Sequence, residues 1–170
     1  TARPSHMEHV YFASAAKMAM ALGHLTEAED AYRRSLEADP VYPDALFGMG
    51  LVLERAGEHA DARGYLLEAL LLDPGAQHYL GPHAEFFPEI DRSFAAGLIA
   101  EELGDCPRAV EHLETFLAGP AMNPAYADTA RQALARTHER GPAIIAAGSL
   151  PLRNITAVAA DPKGRYLALG

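Results

Sequence analysis

Up to about residue 140, apolar residues, mostly Ala and Leu, recur at helical spacing between polar and charged ones. From Ile155 the pattern changes. Ile155, Ala157 and Ala159 alternate with Thr156, Val158 and Ala160; Asp161-Pro162-Lys163-Gly164 is a tight-turn sequence; Tyr166 and Ala168 resume the alternation. The first pattern predicts an all-α domain and the second a short β-hairpin-like tail. Between them "GPAIIAAGSLPL", bounded by Gly and Pro and poor in charge, reads as a connector lying on the surface of the helical domain.

The helical part repeats itself. Residues 43–74, shifted back by 34 positions, set Gly57 on Gly23, Ala62 on Ala28, Leu66 on Tyr32, Ala69 on Ser35, Asp73 on Asp39 and Pro74 on Pro40, while Gly50 meets Ala16. These positions suit two antiparallel helices in tight contact. Small residues at Ala16 and Gly50, and again at Ala28 and Ala62, let two backbones approach where a bulky side chain would separate them. Gly23 and Gly57 fall where the first helix must end and the chain reverse through positive φ. Pro40 and Pro74 stop the second helix, and Pro43 opens the next where a missing N–H costs nothing.

The two units from His9 to Pro74 resemble the tetratricopeptide repeat in their small-residue, aromatic and terminal-proline positions, with Phe12 and Leu46 where the family usually has Trp. A third unit, "IDRSFAAGLIAEELGDCPRAVEHLETFLAGP", follows the same logic through Gly97, Gly104, Ala109 and Leu113. Its Pro120 arrives one residue early, and Phe116 takes a place usually given to a small residue. The expected fold is therefore an all-α, right-handed helix-turn-helix solenoid. Its organisation is an N-terminal tail at 1–8, a solenoid at 9–140 with units near 9–42, 43–76 and 90–123, a linker at 141–154 and the β-hairpin-like tail at 155–170. An insertion at 77–89, "QHYLGPHAEFFPE", carries Gly81, Pro82 and Pro88 and is expected to project from the stack. A capping helix at 124–140 presents Tyr126, Ala127, Ala130, Ala133 and Leu134 as one stripe, with Arg131, Arg136, His138 and Arg140 facing elsewhere. The tail resembles the inner hairpin of a WD-repeat β-propeller blade. One hairpin makes no propeller, so the tail is read as the leading edge of a further domain, or as a strand pair for a second copy or for the repeat groove.

In the tetratricopeptide family the first helix of each unit lines a concave face, and the resemblance implies that ligand peptides lie there. By repeat position the face would carry Val10, Ala13, Lys17 and Met20 from the first unit, and Asp44, Phe47, Leu51, Glu54 and Arg55 from the second. The third would add Asp91, Phe94, Leu98, Glu101 and Glu102. Apolar in the middle with acidic edges, it suits a protein or peptide partner with apolar anchors and basic flanks. Phe47, Leu51, Phe94 and Leu98 fit packing between helices equally well, because helix periodicity does not separate core from groove. The subgroup that grips a C-terminal carboxylate needs Lys, Asn and Arg where this chain has Ala13, Gly48 and Asp91, so that mode is disfavoured.

Charge and chemistry narrow the function further. A net charge of -9 argues against a phosphate-backbone binder, so no nucleic-acid partner is expected. The longest apolar runs fall far short of a membrane span of about 20 residues, and no secretory pattern opens the sequence. Cys106 is the single cysteine and forms no intrachain disulfide, which together point to a cytoplasmic setting. Catalysis finds no Gly-rich phosphate loop, no Ser-centred elbow and no paired-carboxylate signature. His78, His83 and Glu85 share no helix face that would make them metal ligands, and Cys106 beside Pro107 has no base paired with it. The expectation is a non-catalytic interaction scaffold without cofactor. The alternative is a regulatory or oligomerisation module of a larger protein, one that carries a propeller or a catalytic domain.

Overall fold

A computed structural model describes residues 7–82, 84, 86, 89–140, 157–160 and 166–169. Its helices are α1 (Glu8–Ala21), α2 (Leu25–Ala38), α3 (Pro43–Ala56), α4 (His59–Leu72), the one-turn α5 (Gln77–Leu80), α6 (Asp91–Glu102), α7 (Cys106–Ala118) and α8 (Ala127–Arg140). A 3-10 turn, Pro124–Tyr126, precedes α8. α1 packs chiefly on α2, α3 on α4 and α6 on α7, α3 also packs on α2, and α8 closes on α7. The described helices thus form a solenoid of helical hairpins.

The three hairpin turns are built alike. Gly23, Gly57 and Gly104 take φ of 81°, 84° and 72°. In each, the residue after the glycine donates back to a carbonyl one turn inside the helix: His24 to Ala19, Glu58 to Leu53 and Asp105 to Ala100, each at 2.9 Å. Orphan carbonyls at the helix end are satisfied in this way while the chain reverses. Pro43 then sits in the first turn of α3, and Pro107 in that of α7, where Asp105 caps the Arg108 amide.

Small residues set how close the paired helices come. A Cβ added to Gly50 would lie 2.6 Å from Leu66 Cγ, and one added to Gly97 the same distance from Leu113 Cγ. Ala16, Ala28, Ala62 and Ala109 are fully buried at the equivalent contacts. Gly48 plays a part that repeat position does not reveal: a Cβ there would lie 2.1 Å from Tyr32 Cζ, so the phenol of α2 passes across α3 only because that side chain is missing. Gly48→Ala is therefore expected to destabilise the fold. Its helix-propensity gain of about 1 kcal/mol is outweighed by overpacking worth about 1–3 kcal/mol against a ring that is 1% exposed. Urea denaturation of Gly48→Ala beside Gly64→Ala, where nothing lies within 4 Å of the new methyl, should move the two midpoints in opposite directions.

At 77–82, 84 and 86 the segment expected to project from the stack lies against the helices instead. α5 starts in step with the 34-residue period, since Gln77 follows Pro43 by that distance, but stops at Gly81-Pro82. Tyr79 is fully buried, 5.7 Å from the Phe47 ring and 5.8 Å from that of Phe86. Glycine and proline indicated a loop, but the aromatic content of the same stretch decides where it goes: these rings gain more by covering the helices than by standing in water. Beyond the helices, Ala157–Ala160 and Tyr166–Leu169 pair antiparallel, Ala157 opposite Leu169 and Ala160 opposite Tyr166. Two four-residue strands do not define a propeller blade, and the likeness to one is not supported. The turn expected at 161–164, the linker at 141–154 and residues 1–6 lie outside the described residues, as do His83 and Glu85.

Candidate functional site

The first helices of the hairpins, α1, α3 and α6, enclose a cleft of about 700 Å³. Lys17 and Met20 line it from α1, Asp44 and Leu51 from α3, Asp91 and Phe94 from α6, and Tyr126 from the 3-10 turn. Its remaining wall is the returning segment, through Gln77, His78, Tyr79, Pro82, Ala84 and Phe86. Lys17 Nζ stands 4.5 Å from the Tyr79 ring centre and 5.1 Å from that of Phe86, a cation held on two aromatic faces.

The side chains expected to form one groove divide into three groups. Lys17, Met20, Asp44, Leu51, Asp91 and Phe94 border the cleft, although Met20, Leu51 and Phe94 are at most 3% exposed and serve mainly as its floor. Phe47 and Leu98 are core residues, 0% and 2% exposed, and Ala13 is buried as well. Glu54, Arg55 and Glu101 are engaged within the protein. Arg55 donates to the carbonyls of Met20 and Ala125 and lies over the Tyr126 ring at 4.4 Å. Glu54 and Glu101 both receive Arg136, whose guanidinium reaches Glu101 through two bonds of 2.9 Å and also contacts Glu54. The stripe on α8 had placed Arg136 facing elsewhere. It turns inward because two carboxylates, each about a tenth exposed or less, need a cation. Glu102, from the same set, lies 3.1 Å from Arg63.

Arg92, Asn123 and Tyr79 hold the site together, and sequence reasoning passed over all three as site residues. Arg92 donates to the carbonyls of Leu80, Gly81 and Ala84 and lies 5.0 Å from the Phe86 ring, fixing the returning segment by its backbone. Asn123 donates from Nδ2 to Ala21 O at 2.7 Å and accepts from the Ala125 amide, while its own amide reaches Asp91. An aromatic-rich insertion was the available signal for Tyr79; nothing local marks the other two.

Burial raises the pKa of Asp44, against the opposing pull of Lys17, His78 and a Tyr42 hydrogen bond. It raises that of Asp91 too, opposed by hydrogen bonds from Asn123. Burial likewise pushes the phenols of Tyr42 and Tyr126 up to about 12. A carboxyl with a raised folded pKa binds its proton more readily in the folded state. Its ionisation therefore opposes folding above that pKa, and the cost disappears as pH falls toward the unfolded value. Asp44→Asn is accordingly expected to raise the melting temperature at pH 7, with the difference from wild type shrinking by pH 4. Thermal melts at the two values check it.

Among the described residues no group of three or more His, Cys, Asp or Glu side chains is placed to hold a metal ion. No described helix is long and apolar enough to cross a membrane.

Hairpins of paired helices, turned by left-handed glycines and stacked through small residues, define a helical-repeat solenoid. Residues 14–77 match the tetratricopeptide repeat family model. The chain is also similar to two proteins of Komagataeibacter xylinus, cellulose synthase 1 operon protein C and cellulose synthase operon protein C. Each is 42% identical over 52 residues, a stretch that is 31% of this chain. The match spans 4% of the length of either relative. Repeats of this family generally mediate protein–protein interaction.

Proposed function

We propose that this protein is a non-catalytic interaction module that takes an apolar, basic-flanked segment of a partner protein into the cleft between α1, α3 and α6. The observation that carries this is the pairing of an apolar floor, Met20, Leu51 and Phe94, with two carboxylates in the same lining, the part-buried Asp44 and the buried Asp91. Burial raises the pKa of both carboxylates, so their ionised forms are poorly solvated and an incoming Lys or Arg would be favoured there. The helices that frame the cleft are already ordered, which limits the ordering cost of binding.

Fluorescence anisotropy with two labelled peptides tests it, one with a Leu-Phe centre flanked by Lys and one with the same centre flanked by Glu. The Lys peptide is expected to bind, more weakly as salt rises, and to lose about tenfold, or 1.4 kcal/mol, on Asp44→Asn. Equal binding of both peptides, or none of either, overturns the proposal.

A second reading, association between copies or with another domain, is favoured by a different observation. Tyr11, Met18 and Leu22 on and just beyond α1, and Leu71 on α4, are 63–83% exposed. Sedimentation over a wide concentration range separates it from the first.

A further inference from the structure

The stretch from Gln77 to Pro82 is placed as a ligand of the groove would be. Three observations set it apart from an ordinary connection. It begins a helix in step with the repeat and abandons it after one turn: Gly81 is forced, since a Cβ there would lie 2.1 Å from Gln77 O, and Pro82 follows. Its entry is built for the purpose. Ala76 takes a left-handed φ of 49°, rare for a residue with a Cβ, and Asp73 caps the His78 amide at 2.8 Å. Finally, its hold on the helices centres on one buried ring, Tyr79, with Lys17 over its face and the part-buried Leu80 beside it, and on one clasp, Arg92, which grips carbonyl oxygens of this stretch. Main-chain hydrogen bonds give a groove affinity for a peptide, and a buried aromatic anchor gives it selectivity.

We propose that residues 77–82 are the resident occupant of the groove, and that a partner peptide binds by displacing them. The partner places an aromatic side chain where Tyr79 now stands against Phe47, and its backbone takes over the Arg92 clasp. This rests on the peptide-binding function proposed above and names both the anchor of the ligand and the competitor it must beat. The competitor reduces affinity by the fraction of molecules in which the groove is open. A single helical turn is marginal without its tertiary contacts, so opening is local.

The test uses the whole chain in wild-type form and as Arg92→Ala and Phe86→Ala, two substitutions outside the repeat contacts. Hydrogen exchange read by mass spectrometry is expected to show the amides of 77–81 exchanging at least tenfold faster than those of α3 and α6, and faster still in both variants, with α3 unchanged. A phage-displayed random dodecapeptide library is then panned on each protein, and the recovered peptides are synthesised. They are expected to share an aromatic residue, to bind Phe86→Ala about tenfold more tightly than wild type and to lose that gain in Arg92→Ala, where the clasp they need is gone, and to speed exchange at 77–82 on binding. If 77–82 exchange only in step with α3 and α6, the segment is a permanent plug and the proposal falls. It also falls if peptides bind wild type and both variants equally, although peptide binding itself then stands. Failure of the library to yield any binder to any of the three proteins, with 77–82 opening locally, removes the peptide-binding function and this proposal with it.

Discussion

Replacing Arg136 by Leu is expected to cost about 3–5 kcal/mol of folding stability. The guanidinium is 27% exposed, and the carboxylates it holds are 10% exposed at Glu54 and 7% at Glu101. Without it, two negative charges contributed by α3 and α6 face each other in a poorly solvated space, with only the more exposed His59, 2.9 Å from Glu54, and Arg140, 3.7 Å from Glu101, as remaining partners. Removing one charge should restore much of the loss, so Arg136→Leu with Glu101→Gln is expected to lie between the single variant and wild type. Arg131→Leu is the control, because its contact with Asp128 joins side chains 60% and 89% exposed, and it should be nearly silent. Urea denaturation followed by far-ultraviolet circular dichroism reads all three.

Phe94→Ala is expected to lower stability by about 3–5 kcal/mol. The ring is 1% exposed, stacked on Tyr126 at 4.6 Å and 15°, and 5.4 Å from Phe116. Phe94→Leu should cost far less, since it keeps most of the volume. These outcomes bear on the role assigned to the residue. A side chain used mainly to contact a ligand would lower affinity on truncation and leave the melting temperature in place; Phe94 is expected to lower the melting temperature first. Thermal unfolding, measured before any binding assay on this variant, distinguishes the two.

What the sequence made legible was whatever recurs at a fixed offset. Gly23 and Gly57 mark the turns, and Gly50 and Gly97 the close approaches, because each position is written more than once and its physical demand is the same each time. Phe116 broke the pattern and still fell into place, fully buried, since Phe94 and Tyr126 make room for it. The cleft was legible only in outline. Helical spacing puts Phe47 and Lys17 on comparable faces, yet one is core and the other borders the cleft, and the difference comes from Tyr79, which the interrupted helix α5 sets against both. The polar fastenings were not legible at all. Arg136 meets Glu54 across 82 positions and Asn123 meets Ala21 across 102, and no local pattern encodes a pairing at such distances.

A stack of repeats ordinarily touches only its neighbours, so it stretches like an open spring and can lose its end units one by one. Here the connection before α8 comes back to the end of α1: Asn123 holds Ala21 O at 2.7 Å, and Arg55 ties Met20 O to Ala125 O. The spring is thereby fastened into a bracelet. Its pitch is fixed by the clasp, the terminal hairpin does not fray ahead of the middle, and a force applied at the two ends loads the clasp before it loads any helix.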